Sequence, residues 1–452
     1  MRHTLAFALL LPAVAGAQAP ARAGADRASA DRASADRIRR DVAVLADDRM
    51  EGRFTGTPGN DSAAAYVARR FASLRLTQVV DDDAAACARR RTATRAGREQ
   101  SCTTYLQRFT ARSASLAHAG RPSELATQNV VATIPGTDPA LRGQVVVLGA
   151  HYDHLGRDAT FSTDPKAGNA IRNGADDNAS GTAAVMELAR LFAARPAKRT
   201  IMVVAFSGEE LGLLGSQWFV DHLPVPVDSV AAMLNFDMVG RLTDDKLLVY
   251  GTATATELPA ILDSANAAGP ALSVKGIGDG FGPSDHSSFF VKNVPVLHFF
   301  TDQHTDYHAA TDDPATLNYP GTARVVDLAH GVARRIADRA ARLTFQRGTT
   351  TQRMAGAQSS QGPRPWLGSV PDMSSDGAKG LRLQGVTPDS PADKAGLKAG
   401  DLVVQMDDTP VTDLYTYTDA LYARKPGDVL KVTVLRGTER LTVNVTLGQR
   451  GQ

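Results

Sequence analysis

Five short polar clusters interrupt apolar runs in this sequence, and each carries side chains that can bind a cation or move a proton. His151-Tyr152-Asp153-His154 follows the apolar stretch from Gln144 to Ala150. In extended chain, positions 151 and 153 project to the same side, so His151 can ligate through one ring nitrogen while Asp153 orients the ring. The segment from Asn173 to Gly181 sets Asp176 beside Asp177. Adjacent carboxylates repel unless solvent or a cation takes up the charge, although a helix N-cap accounts for one of them without metal. Ser207-Gly208-Glu209-Glu210 follows the apolar run Thr200 to Phe206. One of two neighbouring glutamates can coordinate a cation while the other takes a proton from activated water. Asn235-Phe236-Asp237 adds a hard oxygen ligand, and Thr305-Asp306-Tyr307-His308 an imidazole and a phenol. Two imidazoles and three carboxylates from separate segments suit two zinc ions per chain that share one carboxylate, with Mn2+ or Co2+ as substitutes on the same nitrogen and oxygen donors.

The elements that must carry these clusters follow from hydropathy. Nearly continuous apolar runs at 130–134, 144–150, 200–206, 230–236, 246–250 and 294–300 read as buried strands. Helical spacing lies between them, as at Gly181 to Ala194, and two further helical patterns precede them, at Ile38, Val42, Leu45 and at Ala64, Val67, Ala68, Phe71. The alternation predicts an α/β fold, a mostly parallel mixed sheet sandwiched by helices. Polar clusters that follow such strands collect at one sheet edge, where open α/β sheets bind ligands.

With these residues in view, His151-Tyr152-Asp153, Gly174-Ala175-Asp176-Asp177-Asn178-Ala179-Ser180-Gly181, Gly208-Glu209-Glu210, Asn235-Phe236-Asp237-Met238 and Tyr307-His308 together resemble the co-catalytic dizinc aminopeptidases of the bacterial secreted type. The resemblance covers about residues 38 to 340. It implies a zinc-exopeptidase fold, with His151 and Asp237 as terminal ligands of one zinc, Glu210 and His308 of the other, and Asp177 as the bridge. It further implies Glu209 as general base, Asp153 as the acid that orients a ligand, and Tyr307 as the phenol that steadies the oxyanion in some members. Ser284, Asp285 and His286 fall in a loop that lines the site in this family, so they are expected to touch ligands or substrate. His308 is favoured over His304 by the match. His154 is set aside, because strand alternation would turn it away from His151. Glu51-Gly52-Arg53 resembles an N-terminal element near the site, with an Arg that pairs with the acidic rim as the other reading. The interval from Thr77 to Gln128 is too short for the protease-associated domain that several relatives carry.

Domain bounds follow from composition. Residues 1–19 have a basic start, a short apolar core and small residues, the pattern of a signal peptide, and the apolar run is shorter than the roughly 20 residues of a membrane span. Export to a periplasm or the medium is therefore expected, with no membrane span left after removal. Residues 20–37 form a helical or disordered lead-in, and 38–346 the peptidase domain, with a cysteine-bearing insertion near 80–105. Cys87 and Cys102 are candidates for a disulfide that pins this excursion. Residues 347–364 read as a linker and 365–448 as a small domain that resembles the PDZ domains of bacterial proteases. Its carboxylate-binding loop would include Trp366, Leu367 and Gly368, and a peptide C-terminus would be its ligand. With 50 Lys and Arg against 48 Asp and Glu, the net charge of +2 offers no field for nucleic acid. The expected activity is removal of residues from peptides with a free N-terminus. Carboxypeptidase or glutaminyl cyclase chemistry on the same fold, and a non-catalytic peptide-binding protein, are the alternatives.

Overall fold

Eight strands make one mixed sheet in the computed structural model, which describes residues 32–81, 103–112, 122–158, 162–347, 365–371, 380–386, 390–411, 416–417, 420–421 and 423–449. The expected leader at 1–19, both cysteines and nearly all of the expected linker at 347–364 lie outside these residues. The strands are β1 Leu106–Arg112, β2 Glu124–Ile134, β3 Val145–His151, β4 Thr200–Phe206, β5 Val230–Phe236, β6 Lys246–Tyr250, β7 Ser273–Ile277 and β8 Val296–Phe300, in the spatial order β1-β2-β4-β3-β5-β8-β6-β7. The central four, β4-β3-β5-β8, are mutually parallel, while β2 and β6 flank them antiparallel. The expected α/β sheet is thus present, and its continuous apolar runs are explained by burial on both faces.

Alternation along each strand divides the core. Val146, Leu148 and Ala150 of β3 join Ile201, Val203 and Ala205 of β4 in one cluster under helices α1 Ala35–Leu45, α2 Pro58–Ser73, α3 Gly181–Ala194, α5 Leu258–Ala267 and α7 Tyr319–Asp338. Val145, Val147, Met202 and Val204 face the other way, against α4 Leu214–Asp221 and α6 His286–Phe290. Helix α1 starts three residues ahead of Ile38 because Ser34 caps it, accepting from the Arg37 amide, while the Arg37 guanidinium meets the buried Glu187 at 3.0 Å. The order of the parallel block matters for function. From β3 the chain passes to β4 on one side and later to β5 on the other, so the carboxyl ends of these strands open a crevice at the reversal point.

Residues 365–449 have a core of their own, around Leu367, Leu383, Val403, Leu430, Val432 and Val445. The strands β9 Pro365–Trp366, β10 Ser369–Pro371, β11 Leu381–Val386, β12 Leu402–Met406, β13 Thr409–Pro410, β14 Val429–Arg436, β15 Glu439–Thr446 and β16 Gly448–Gln449 are joined by the short helix α8 Pro391–Lys394. The order β10-β11-β12-β14-β15 leaves β10 at an edge. Gly368, just before it, has φ +81, and a Cβ there would stand 2.2 Å from Ser390 Cβ, so the loop needs glycine. Among the described residues, no helix is long and apolar enough to cross a membrane.

Candidate metal centre

His151 ends β3, Glu209 and Glu210 follow β4, Asp237 follows β5, and His308 lies in the loop after β8. Asp177 comes from the turn ahead of α3, between β3 and β4. The sheet therefore gathers five distant ligand candidates at one crevice. Asp177 Oδ1 stands 3.4 Å from His151 Nε2, and Asp177 Oδ2 stands 3.1 Å from His308 Nε2. One carboxylate thus addresses two imidazoles with different oxygens. Asp237 Oδ1 is 3.3 Å from His151 Nε2, and Glu210 Oε2 is 3.1 Å from His308 Nε2.

These lengths can be compared with coordination geometry. Ligand atoms about 2.0–2.1 Å from a tetrahedral cation stand roughly 3.3–3.4 Å from one another. The pairs His151–Asp237, His151–Asp177, His308–Glu210 and His308–Asp177 come near that spacing, and nitrogen with carboxylate oxygen is a zinc-type donor set. Glu209 Oε2 is farther from His151 Nε2, at 4.0 Å, beyond that spacing. Ligand atoms of His151, Glu209 and Asp237 also lie within 4.8 Å of one another, as do those of His154, Asp177 and Glu210.

Electrostatics agree with a site built for positive charge. Burial alone would lower His151, but Asp237, Glu209 and Asp177 outweigh it and raise the ring well above its usual range. His308 is likewise held down by burial and pulled up by Glu210 and Asp177, to about 10. Burial works against the charged forms of Asp177 and Glu210, yet the imidazoles hold Asp177 well below the ordinary carboxylate range and Glu210 down at about 2. Glu209 moves the opposite way. Burial, aided by the charges of Glu210, Asp237 and Asp285 and opposed by His151, keeps it well above normal. Tyr307 is also raised, by burial and the surrounding carboxylates, so its phenol keeps its proton.

Several placements differ from the sequence reading. The His151 ring is nearer the Asp153 backbone carbonyl, with Nδ1 at 3.2 Å, than its carboxylate, at 3.7 Å. The carboxylate accepts from Thr55 Oγ1 at 2.9 Å and from the Glu209 amide at 3.2 Å. His154 is brought into the cluster, because β3 ends at His151 and alternation ends with it; its Nδ1 lies 2.7 Å from Glu210 Oε1. Arg53 does not pair with the acidic rim. Fully buried, it donates to the carbonyls of Leu45, Tyr152, Asn173 and Gly174, and so ties the segment after β3 to the one before Asp177.

Asp176 points away from the cluster, accepting from the Gly240 amide and from His304 Nε2 at 3.1 Å, which also removes His304 from the ligand candidates. Sequence reasoning missed Asp312. It is buried and accepts from the amides of Asp176 and Asp177, and burial with the Asp176 charge raises it to about 6. Its only sequence signal is another acidic residue close behind His308. Ser284 Oγ donates to Asp237 Oδ2 at 2.7 Å. Asp285 is buried beside it, raised by that burial to about 7, while His286 instead stacks flat on His298, ring centroids 4.5 Å apart.

Comparison with known proteins adds kinship to this geometry. The profile of Peptidase family M28 matches residues 129–333, and that of the PDZ domain matches residues 365–447. A probable zinc metalloprotease of Leptosphaeria maculans is 39% identical over 125 residues, 28% of this chain and 27% of that protein. Aminopeptidase YwaD of Bacillus subtilis is 30% identical over 157 residues, 34% of this chain and 31% of its own length. The chain therefore spans about a third or less of these relatives. Among solved structures, a Zn-dependent exopeptidase from Parabacteroides distasonis superposes with a TM-score of 0.52 at 16% identity, covering 67% of this chain and 98% of that one. An aminopeptidase from Aneurinibacillus sp. strain AM-1 does so at 0.51 and 16%, covering 70% and 97%. At such identities the likeness is one of fold.

Proposed function

From a chain that carries a Peptidase family M28 domain followed by a PDZ domain, we propose an exported aminopeptidase that removes N-terminal residues from peptides at a dizinc centre. The observation that carries this reading is Asp177, whose two oxygens face His151 and His308 at 3.4 and 3.1 Å. His151 and Asp237 would hold one zinc, and His308 and Glu210 the other, with Asp177 between them. When bound, such a pair lowers the pKa of water and polarises a carbonyl.

The chain's own groups do the rest. Glu209, with its raised carboxyl pKa, accepts the water's proton and returns it to the departing amine. Tyr307, neutral in these surroundings, donates a hydrogen bond to the charge that develops on the scissile carbonyl oxygen. Ser284 donates to Asp237 and fixes its orientation. Sequence kinship with an aminopeptidase supports a free N-terminus as the feature read, and the leader-like residues 1–19 support export.

The PDZ domain would take a peptide C-terminus along its edge strand β10, next to the Gly368 loop. Leu367 is buried there and its carbonyl accepts from the Ala392 amide, so its side chain supports the loop from beneath.

The test is product mapping on peptides with free and blocked N-termini, beside a Glu209→Gln variant. Stepwise release from free N-termini alone is expected, and the variant should keep its zinc while kcat falls by about 10^2 to 10^4. Internal cleavage, C-terminal release or undiminished turnover in the variant would contradict it.

A further inference from the structure

We propose that His154 is a positioning residue, which grips one oxygen of Glu210 so that the other is presented to the cation on the His308 side. The inference rests on the dizinc reading and assigns a role to a residue outside that ligand set. His154 Nδ1 is 2.7 Å from Glu210 Oε1, the length of a charge-assisted hydrogen bond. That separation is far below the roughly 3.3 Å between two ligands of one tetrahedral cation. From Asp177 Oδ2 it is 3.9 Å, beyond that spacing. Glu210 Oε2, the other oxygen, is the one that meets His308 Nε2 at 3.1 Å. The carboxylate is thus divided between the His154 donor and the side that would hold a cation.

The tautomer follows from burial. His154 is fully buried and its Nε2 has no hydrogen-bond partner, so a proton there would leave a donor unmet. The proton therefore sits on Nδ1, where Glu210 accepts it. The ring has little freedom to leave. Gly174, at φ +54, lies so close that a Cβ on it would come within 2.4 Å of the His154 ring, and the His154 amide donates to the Arg53 carbonyl at 3.3 Å.

Asparagine and glutamine separate the two nitrogens, because an asparagine amide nitrogen falls near Nδ1 and a glutamine one near Nε2. Zinc affinities of the full chain, read by chelator competition, would be compared for wild type, His154→Ala, His154→Gln and His154→Asn. We expect two zinc ions in wild type. His154→Ala and His154→Gln should weaken one of them about 10- to 100-fold and leave the other unchanged, with His154→Asn within about threefold of wild type. Wild-type affinities in His154→Ala, equal weakening of both ions, or no advantage of Asn over Gln would overturn the positioning role alone. Fewer than two ions in wild type would overturn the dizinc reading and this inference with it. Should the alanine variant fail to fold, the contrast of Asn with Gln still decides.

Discussion

The His151 half of the acidic cluster stands on strand ends, whereas the His308 half hangs on loops. His151 is the last residue of β3 and Asp237 the first after β5, and these strands pair in parallel register from Val145↔Val230 to Gly149↔Asn235. Backbone pairing alone brings their side chains together. His308 has no such support, and its backbone sits at φ 56, a conformation that costs a non-glycine residue about 1–3 kcal/mol. Neighbouring chain holds it there. Its carbonyl accepts from Ser162 Oγ at 3.0 Å and from the Thr163 amide at 3.2 Å, while Asp164 accepts from the Ala310 amide at 2.8 Å and pairs with the buried Arg172 at 2.9 Å. The comparison teaches that regular structure can preset one half of the proposed two-cation site, while the other half depends on polar braces from distant sequence.

The largest effect should come from the residue common to both halves. Asp177→Asn removes the shared charge, so both zinc affinities are expected to fall together, and kcat/KM by about 10^3 or more. Chelator competition and steady-state kinetics check this, and loss of a single ion would mean that the halves do not share Asp177. A smaller, one-sided effect is expected from the brace. Asp164→Ala should weaken zinc on the His308 side by about tenfold and leave the His151 side as it was. Equal weakening of both ions would erase the distinction between strand-borne and loop-borne ligands.

The same division explains what could be read from sequence. The strands were legible because full burial leaves an unbroken apolar run, as at Val145–His151, and the clusters at His151, Glu209–Glu210 and Asp237 were legible because each starts where such a run stops. Side-chain direction beyond the strand ends was not legible from alternation. His154 was assigned by alternation, yet its direction depends on Arg53, about 100 positions earlier, whose guanidinium gathers carbonyls from three segments. Asp177 over Asp176 came from the family resemblance and not from the local pattern, because what takes Asp176 away lies far along the chain, the Gly240 amide and His304. Asp312 acts through two backbone amides, and no pattern of side-chain types marks a group that binds backbone.

The central claim is that Asp177 bridges two cations. Anomalous scattering at the zinc edge, from crystals of the zinc-loaded chain, would show it directly. The account predicts two peaks on opposite sides of Asp177, each about 2 Å from an oxygen of that residue, with His151 and Asp237 completing one and His308 and Glu210 the other. A single peak, or a pair of which either lies away from Asp177, would contradict it.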